Sequence, residues 1–226
     1  MNIIYLLFHG LSPYSGISKK ILHQVKGFEA CGHRVSLCTY SIADNDHRVR
    51  MINNEIIEDY GTGKPAAAKR RVSYQCIYRY AVTHQVELIY VRSFHNANPF
   101  TIRLFSKLRK AGIKIAMEIP TYPYDSEYAG FPLVTRLGIQ VDKVFRKTLA
   151  KHVNAIVTFS DYHCIFGQRT IQISNGVDFD SIPLKKTVSK NTSVIHLLGV
   201  AEVHYWHGYD RLIDGLGTVS YTHLRA

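Results

Sequence analysis

From Asn2 to Phe8 the chain reads Asn-Ile-Ile-Tyr-Leu-Leu-Phe, an apolar run that, bounded by loop formers, reads as a strand buried in a parallel sheet. A cluster of loop formers follows, His-Gly-Leu-Ser-Pro-Tyr-Ser-Gly, and then Ile17, Ile21, Val25 and Phe28 recur at helical spacing. A strand feeding a helix in this way commits the chain to an α/β fold. The connecting loop then lies at the carboxyl edge of the sheet, where amides at a helix N-terminus can meet phosphate or sugar hydroxyls. Gly16 is the expected pivot, because a residue without Cβ lets a ligand approach the backbone; Ser15 and Ile17 flank it. The spacing from Gly10 to Gly16 is not Gly-x-Gly-x-x-Gly, so a plain tight connection stands as an equal reading.

The same alternation continues. His33 to Tyr40 is a second strand with Val35, Leu37 and Cys38 inward, and Arg48 to Ile57 a weaker one. Tyr60 to Ala68 reads as a loop; its Gly61-Thr-Gly-Lys64 lacks the following Ser or Thr of a phosphate loop and has Pro65 instead. Lys69 to His84 has helical periodicity through Val72, Cys76, Tyr80 and Val82, and Val86 to Val91 is a compact buried strand. Arg92-Ser-Phe-His-Asn96 is then a polar cluster where a parallel sheet collects ligands, and Asn98-Pro99 opens the next helix. His95 is a catalytic candidate there, or a local hydrogen-bond partner.

Lys114 to Ile119 forms another strand and carries a second catalytic candidate, Glu118, near its end. The loop from Pro120 to Tyr128 is long for its place and dense in tyrosine and carboxylate. Tyr122 and Tyr124 offer flat faces and hydroxyls suited to sugar rings; packing of the loop on its own domain is the competing reading. Phe131 to His152 is a long helix, with Val134, Leu137, Val141, Val144, Phe145 and Leu149 on its apolar side. Ala155 to Phe159 is a strand, Ser160-Asp161 enters a short helix ended by Gly167, and Thr170 to Ile173 closes the unit before Asn175-Gly176. Strands alternating with helices predict a doubly wound parallel sheet over residues 1–182. Asp178 to Asn191 reads as a linker, and Ser193 to Leu198, Gly199, a Trp206-His-Gly208 turn and a helix from Tyr209 open a second domain over 183–217.

The 226 residues, 46% hydrophobic, suffice for one buried core and part of another. No run is long enough to span a membrane and the apolar start lacks a signal-peptide pattern, so a cytoplasmic protein is expected. The four cysteines show no Cys-x-x-Cys pair and are read as buried thiols rather than a zinc site. The net charge of +11 implies attraction to anionic lipid, nucleotide or nucleic acid. Lys69-Arg70-Arg71 at a helix start and Arg103, Lys107, Arg109 and Lys110 outside an Ile102, Phe105, Leu108 stripe carry much of it. These are either solvated faces or a surface for an anionic membrane, where each cation is worth about 1 kcal/mol. No nucleic-acid-binding motif accompanies them, so no nucleic acid partner is expected.

Val219 to Ala226 breaks the amphipathic pattern of Arg211 to Leu216 and resembles the translated transposase adapter of shotgun sequencing libraries. The expectation is therefore a natural sequence ending near Gly217, inside a helix, with 218–226 foreign to the protein.

Taken in order, the Ser-Pro-Tyr-Ser-Gly16-Ile-Ser loop, the Glu118-Ile-Pro-Thr-Tyr-Pro-Tyr loop, Asn175-Gly-Val-Asp178 and Trp206-His-Gly-Tyr-Asp-Arg-Leu-Ile213 resemble one family. It is the GT-B-fold glycosyltransferases of the group-four, glycogen-synthase-like type, with their subfamily-four N-terminal domain. The resemblance implies two Rossmann-like domains, the first holding a glycan or lipid-linked acceptor and the second a nucleotide-sugar donor, with retention of configuration and no metal or other cofactor. It places Ser15, Gly16, Ile17, Tyr122 and Tyr124 on the substrate side and Gly199 and His207 on the donor side. Pro120 stands where many relatives have a histidine that contacts the donor sugar, leaving Glu118, Tyr122 and Tyr124 as replacements. Val200 and His207 stand where relatives have an Arg and a Lys for phosphate, and a clamp without fixed cations is weaker. The paired glutamates of the family and its nucleotide pocket are expected beyond Gly217, so residues 1–217 are expected to be inactive alone. The alternative is a non-catalytic Rossmann-like module for a nucleotide or anion; the absent Gly-x-Gly-x-x-Gly and the Thr39-Tyr40 end of the second strand speak against a dinucleotide enzyme.

Overall fold

The computed structural model describes residues 1–92, 96–125, 132–176, 178, 180, 197, 199 and 208–220. The chain divides into two compact units, Met1–Ser181 and Ile182–Ala226. In the first, β1 (Asn2–Leu7) leads to α1 (Gly16–Ala30) and β2 (Arg34–Ile42), and then to β3 (Arg48–Ile52) and β4 (Glu55–Asp59). Two short helices follow, α2 (Gly63–Lys69) and α3 (Gln75–Thr83), before β5 (Leu88–Arg92), α4 (Pro99–Lys110), β6 (Lys114–Ile119) and α5 (Leu133–Ala150). The unit ends with β7 (Ala155–Thr158), β8 (Cys164–Ile165) and β9 (Gln168–Gln172); the described helix of the second unit is α6 (Tyr209–Ser220).

The fold is α/β and Rossmann-like, with a mostly parallel sheet in the order β4-β3-β2-β1-β5-β6-β7-β9-β8 among the described residues. Strands β2, β1, β5, β6, β7 and β9 run parallel, and β3 and β8 pair antiparallel at the margins. β1 is central because Ile3 to Leu7 are at most 1% exposed, as its unbroken apolar run requires. On one face Ile3, Tyr5, Leu7, Tyr90 and Val157 pack with Ile21, Val25 and Phe28 of α1. On the other, Ile4, Leu6, Ile89, Val91, Ile115 and Met117 pack with Ile77 of α3, Phe105 and Leu108 of α4 and Leu149 of α5. α1 starts where Ser15 caps it, the Ser18 amide donating to the Ser15 hydroxyl at 3.4 Å. α4 opens with a full capping box from Asn98 and Thr101, followed by Pro99 in the first turn.

Several expectations are corrected. The Arg48 to Ile57 stretch is a hairpin, turned by Asn53 and Asn54, both at positive φ (48° and 71°). Gly63–Lys69 is a helix rather than a loop, so Lys69-Arg70-Arg71 lies at the end of α2 and not at a helix start. No helix runs from Ser160 to Gly167; β8 and β9 form a hairpin turned by Phe166 and Gly167 at φ of 52° and 80°. Val72 and Val82 of the expected apolar stripe are exposed, and α3 buries Cys76, Ile77 and Ala81 instead. Ile17 is exposed, as are Leu137, Val141 and Val144 of α5. All four cysteines are free; Cys38 and Cys76 are buried, whereas Cys31 and Cys164 are exposed. α6 continues through Gly217 to Ser220, and residues 221–226 lie outside the described residues, as do most of the expected linker and the Ser193 to Leu198 strand. Among the described residues no helix is long and apolar enough to cross a membrane.

Of the two glycines in the connection after β1, Gly10 is pressed against backbone and Gly16 stands in open space. A Cβ on Gly10 would lie 2.8 Å from the Tyr40 carbonyl oxygen, whereas one on Gly16 would meet nothing within 4 Å. Gly10→Ala is expected to cost about 1–3 kcal/mol through overpacking against backbone. Gly16→Ala, in the first turn of α1, is expected to change stability by no more than about 0.5 kcal/mol. Thermal melts of the two variants beside the parent protein check this contrast.

Candidate functional site

In an open parallel sheet, ligands collect at the carboxyl ends of the strands where the winding reverses, because the loops there diverge and leave a crevice. Here β1 pairs with β2 on one side and β5 on the other, so the reversal lies between β1 and β5. A cavity of about 580 Å³ occupies that position. Phe8 and His9 follow β1, Asn96, Ala97 and Asn98 lead into α4, and Thr135, Gly138 and Val141 come from α5. Arg50 of β3 and Arg70 and Arg71 beyond α2 supply its cationic wall. A second cavity of about 360 Å³ shares Val72, Tyr74 and Phe100 with the first and includes Arg103 and Lys107 of α4.

Arg50 is 1% exposed, an extreme position for a guanidinium. Its Nη1 donates to the Leu7 carbonyl at 2.7 Å, at the end of β1, while its Nε is buried with no hydrogen-bond partner among the described residues. Two thiols and a hydroxyl beside it are neutral at neutral pH, and the Glu58 carboxylate, whose Oε2 is buried without a hydrogen-bond partner among the described residues, acts on the same Cys76 and Tyr60 groups. Burial pushes the Cys38 thiol up to about 11 despite Arg50, and burial, with a hydrogen bond to Glu58, pushes Cys76 up to about 12. Burial likewise holds the Tyr60 hydroxyl above its ordinary value. Glu58 stands opposite Arg50 in the β3–β4 ladder, but its Oε1 accepts from the Ser73 hydroxyl at 2.9 Å, and it forms no ion pair with Arg50.

Arg70 lies over the Tyr40 ring at 4.2 Å, and Arg48 Nη1 donates to the Tyr40 hydroxyl at 3.0 Å. The Nε atoms of Arg48 and Arg70 are also buried without partners among the described residues. Burial pulls the Arg70 guanidinium down from its usual range; the Tyr40 hydroxyl opposes this, and the charges of Arg71, Arg48 and Arg50 add to it. The back of the cavity is tied down by Asp142 of α5, 2% exposed. Its carboxylate accepts the Ala97 amide and the Tyr124 hydroxyl, both at 2.9 Å. This arrangement is rigid, cationic and partly apolar, and its chemistry suits an anionic group attached to an apolar or ring-shaped body.

The residues singled out from the sequence fall elsewhere. Ser15, Gly16 and Ile17 belong to the start of α1, and Gly16 does stand in open space, but none of the three lines the cavity. On that side Lys20 donates to the Asn175 side chain at 2.6 Å and lies 3.5 Å over the Phe159 ring. Glu118 is wholly buried: it pairs with Arg92 and accepts from the Tyr90 hydroxyl at 2.6 Å and from Gln24 Nε2 at 2.9 Å. Gln24 in turn accepts the Tyr5 hydroxyl at 2.6 Å. Tyr122 packs edge-on to Tyr162 and Phe166, and Tyr124 is engaged with Asp142, so both tyrosines pack on their own domain. Asp125 completes that loop: Arg146 donates to both its oxygens, at 2.8 and 3.1 Å, and holds the carboxyl below its usual range. In the second unit, a Cβ on Gly199 would come 2.6 Å from the Tyr209 ring. His95 and His207 lie outside the described residues. Among the described residues no three His, Cys, Asp or Glu side chains gather as a metal site.

What sequence reasoning missed is Arg50, Arg70 and Arg71 as one cluster. The available signal was the alternation of Arg48 and Arg50 with Val49 and Met51 in one strand.

Glu118→Ala is expected to destabilise the protein by about 3–5 kcal/mol, because it strands the buried Arg92 charge. Urea unfolding of the variant beside the parent measures this directly, and a loss below about 1 kcal/mol would show that water reaches Arg92.

Compared with family models and with curated proteins, the chain matches none.

Proposed function

We propose that this chain is the N-terminal, acceptor-side part of a retaining glycosyltransferase that moves a sugar from a nucleotide-diphosphate donor to a glycan or lipid-linked acceptor. The observation that carries the reading is the position of the cavity. It lies at the winding reversal of a Rossmann-like sheet, between the loop after β1 and the loop before α4, where such a domain binds small molecules. The order of the Ser15-Gly16, Glu118 to Tyr124, Asn175 to Asp178 and Trp206 to Ile213 motifs supports it. In this reading Gly199 and His207 serve the donor, the amides of the α1 N-terminus meet developing charge on the leaving diphosphate, and no metal is required. Glu118 acts as a positioning residue, since its carboxylate is enclosed by Arg92, Tyr90 and Gln24.

A peripheral place on an anionic membrane fits the same assignment. Arg103, Arg109 and Lys110 of α4 are exposed, and α5 presents Leu133, Leu137, Val141 and Val144 to solvent, 68% exposed at Leu133 and 71% at Val144. Cations beside an apolar stripe suit a lipid headgroup boundary.

The second reading, a non-catalytic anion-binding module, is favoured by the arginines of the cavity alone. Reading the source gene in frame beyond the Gly217 codon separates the two. A second α/β domain with two glutamates eight positions apart is the outcome expected of a transferase. A stop codon directly after Gly217 overturns that reading in favour of the module.

A further inference from the structure

Burying a guanidinium is costly, and proteins ordinarily offset the cost with a carboxylate. At Arg92 this chain does so, with Glu118. At Arg50 it does not. Arg50 is the more deeply enclosed of the two, and the thiols and hydroxyl beside it are neutral. The Nε of each arginine is buried without a hydrogen-bond partner among the described residues, but only Arg92 has a carboxylate ion pair. Arg70, whose Nε is likewise buried and partnerless among the described residues, and Arg71 share the same cavity, and Arg48 stands behind them on Tyr40. Among the described residues none of these four arginines forms an ion pair with a carboxylate. Arg50 is buried, Arg48 and Arg70 are half-buried and Arg71 is exposed, so the cluster joins one enclosed cation to others that a ligand can reach, and an anion bound there would relieve their mutual repulsion.

We propose that the cavity recognises a phosphate group on the acceptor, held by Arg50, Arg70 and Arg71, with the rest of the acceptor against Phe8, Phe100 and Val141. Guanidinium groups match phosphate oxygens in pairs, and three of them suit a doubly charged group better than a single carboxylate. The apolar members of the wall would be superfluous for a free ion, and Phe100 and Val141, 46% and 44% exposed, leave apolar surface that a ring or chain could cover. This inference rests on the acceptor-side reading, and it names the acceptor as phosphorylated. A sugar phosphate and a phospholipid-type carrier present the same group.

Two binding measurements on the full chain distinguish the sources. In the first, glucose 1-phosphate and glucose are titrated by calorimetry; in the second, the chain is sedimented with phosphatidylcholine vesicles with and without phosphatidic acid. Binding of glucose 1-phosphate but not glucose points to a soluble acceptor. Sedimentation only with phosphatidic acid vesicles points to a lipid one. In either case Arg70→Gln and Arg71→Gln are expected to weaken binding about tenfold or more each, and added salt to weaken it further. Arg50→Met is expected to abolish binding while its melting temperature stays level or rises, because a buried charge without a counter-ion has been removed. The proposal is overturned if neither phosphate probe binds, if the Arg70 and Arg71 variants bind as the parent does, or if Arg50→Met lowers the melting temperature and leaves phosphate affinity intact. Failure here, with a donor domain encoded beyond Gly217, leaves a transferase with a neutral acceptor; phosphate binding without such a domain leaves an anion-binding module.

Discussion

The charge on Glu118 has no route to solvent, so the protein has to meet it from within, and the surrounding structure is arranged to do this. Arg92 from β5, the Tyr90 hydroxyl from the same strand and Gln24 from α1 close around the carboxylate, and Tyr5 from β1 holds Gln24. One side chain of β6 thereby fixes β1, β5 and α1 against each other near the strand ends. A buried pair of this kind adds little net stability over apolar residues of the same volume. Its contribution is geometric: the loops carrying Phe8 and His9 and Asn96 to Asn98 leave from strands whose ends are held by this network, and those loops form the cavity on the opposite face.

The two buried arginines of the sheet therefore have different physical meaning. Arg92 is paired with a buried carboxylate, whereas Arg50 donates to a backbone carbonyl and lines a cavity. The walls around that cavity are fixed before any ligand arrives. The Asn98 side chain is occupied in capping α4, and Asp142 clasps both the Ala97 amide and the Tyr124 hydroxyl. Fixed donors lose little freedom when a ligand binds, which is where affinity for a small anion comes from.

Much of this architecture was legible because its signals are local. The unbroken apolar run of β1 and the Asn98-Pro99 start of α4 each specify a few residues at a time, and the structure follows them. The misses have particular causes. Gly61, Gly63 and Pro65 read as loop formers, but a proline in the first turn of a helix loses no hydrogen bond there, and Ala66 to Ala68 are strong helix formers behind it. The Asn53-Asn54 and Phe166-Gly167 turns put residues at positive φ, and a phenylalanine there is poorly signalled by sequence. Gly10, which carried no reading of its own in the sequence, is the glycine that lets the loop after β1 lie against the Tyr40 carbonyl. The site was less legible than the fold. Arg50 and Arg70 are separated by a hairpin and a helix, and only tertiary pairing shows that they share a cavity.

The distribution of acidic residues completes the physical picture. The chain has 28 Lys and Arg against 17 Asp and Glu, a net charge of +11, so some cations have no carboxylate to match them, and which ones these are is decided by the fold. Among the described residues Glu118 is committed to Arg92, Asp125 to Arg146 and Lys143, Asp59 to His47 and Asp178 to Lys26. Glu58, the carboxylate nearest in register to Arg50, is engaged by Ser73 and the Cys76 thiol. Exposed cations elsewhere, such as Arg109 and Lys110, are screened by water and salt, and their repulsion is small. Arg50 and Arg70 are enclosed, and apolar walls keep their field from being screened and direct it through the cavity mouth. A net charge spread over a surface would do no more than keep the protein soluble. Gathered at the reversal of the sheet without an ion-paired carboxylate among the described residues, part of that excess gives the cavity a definite sign, which is the physical basis of the proposal that it takes an anion.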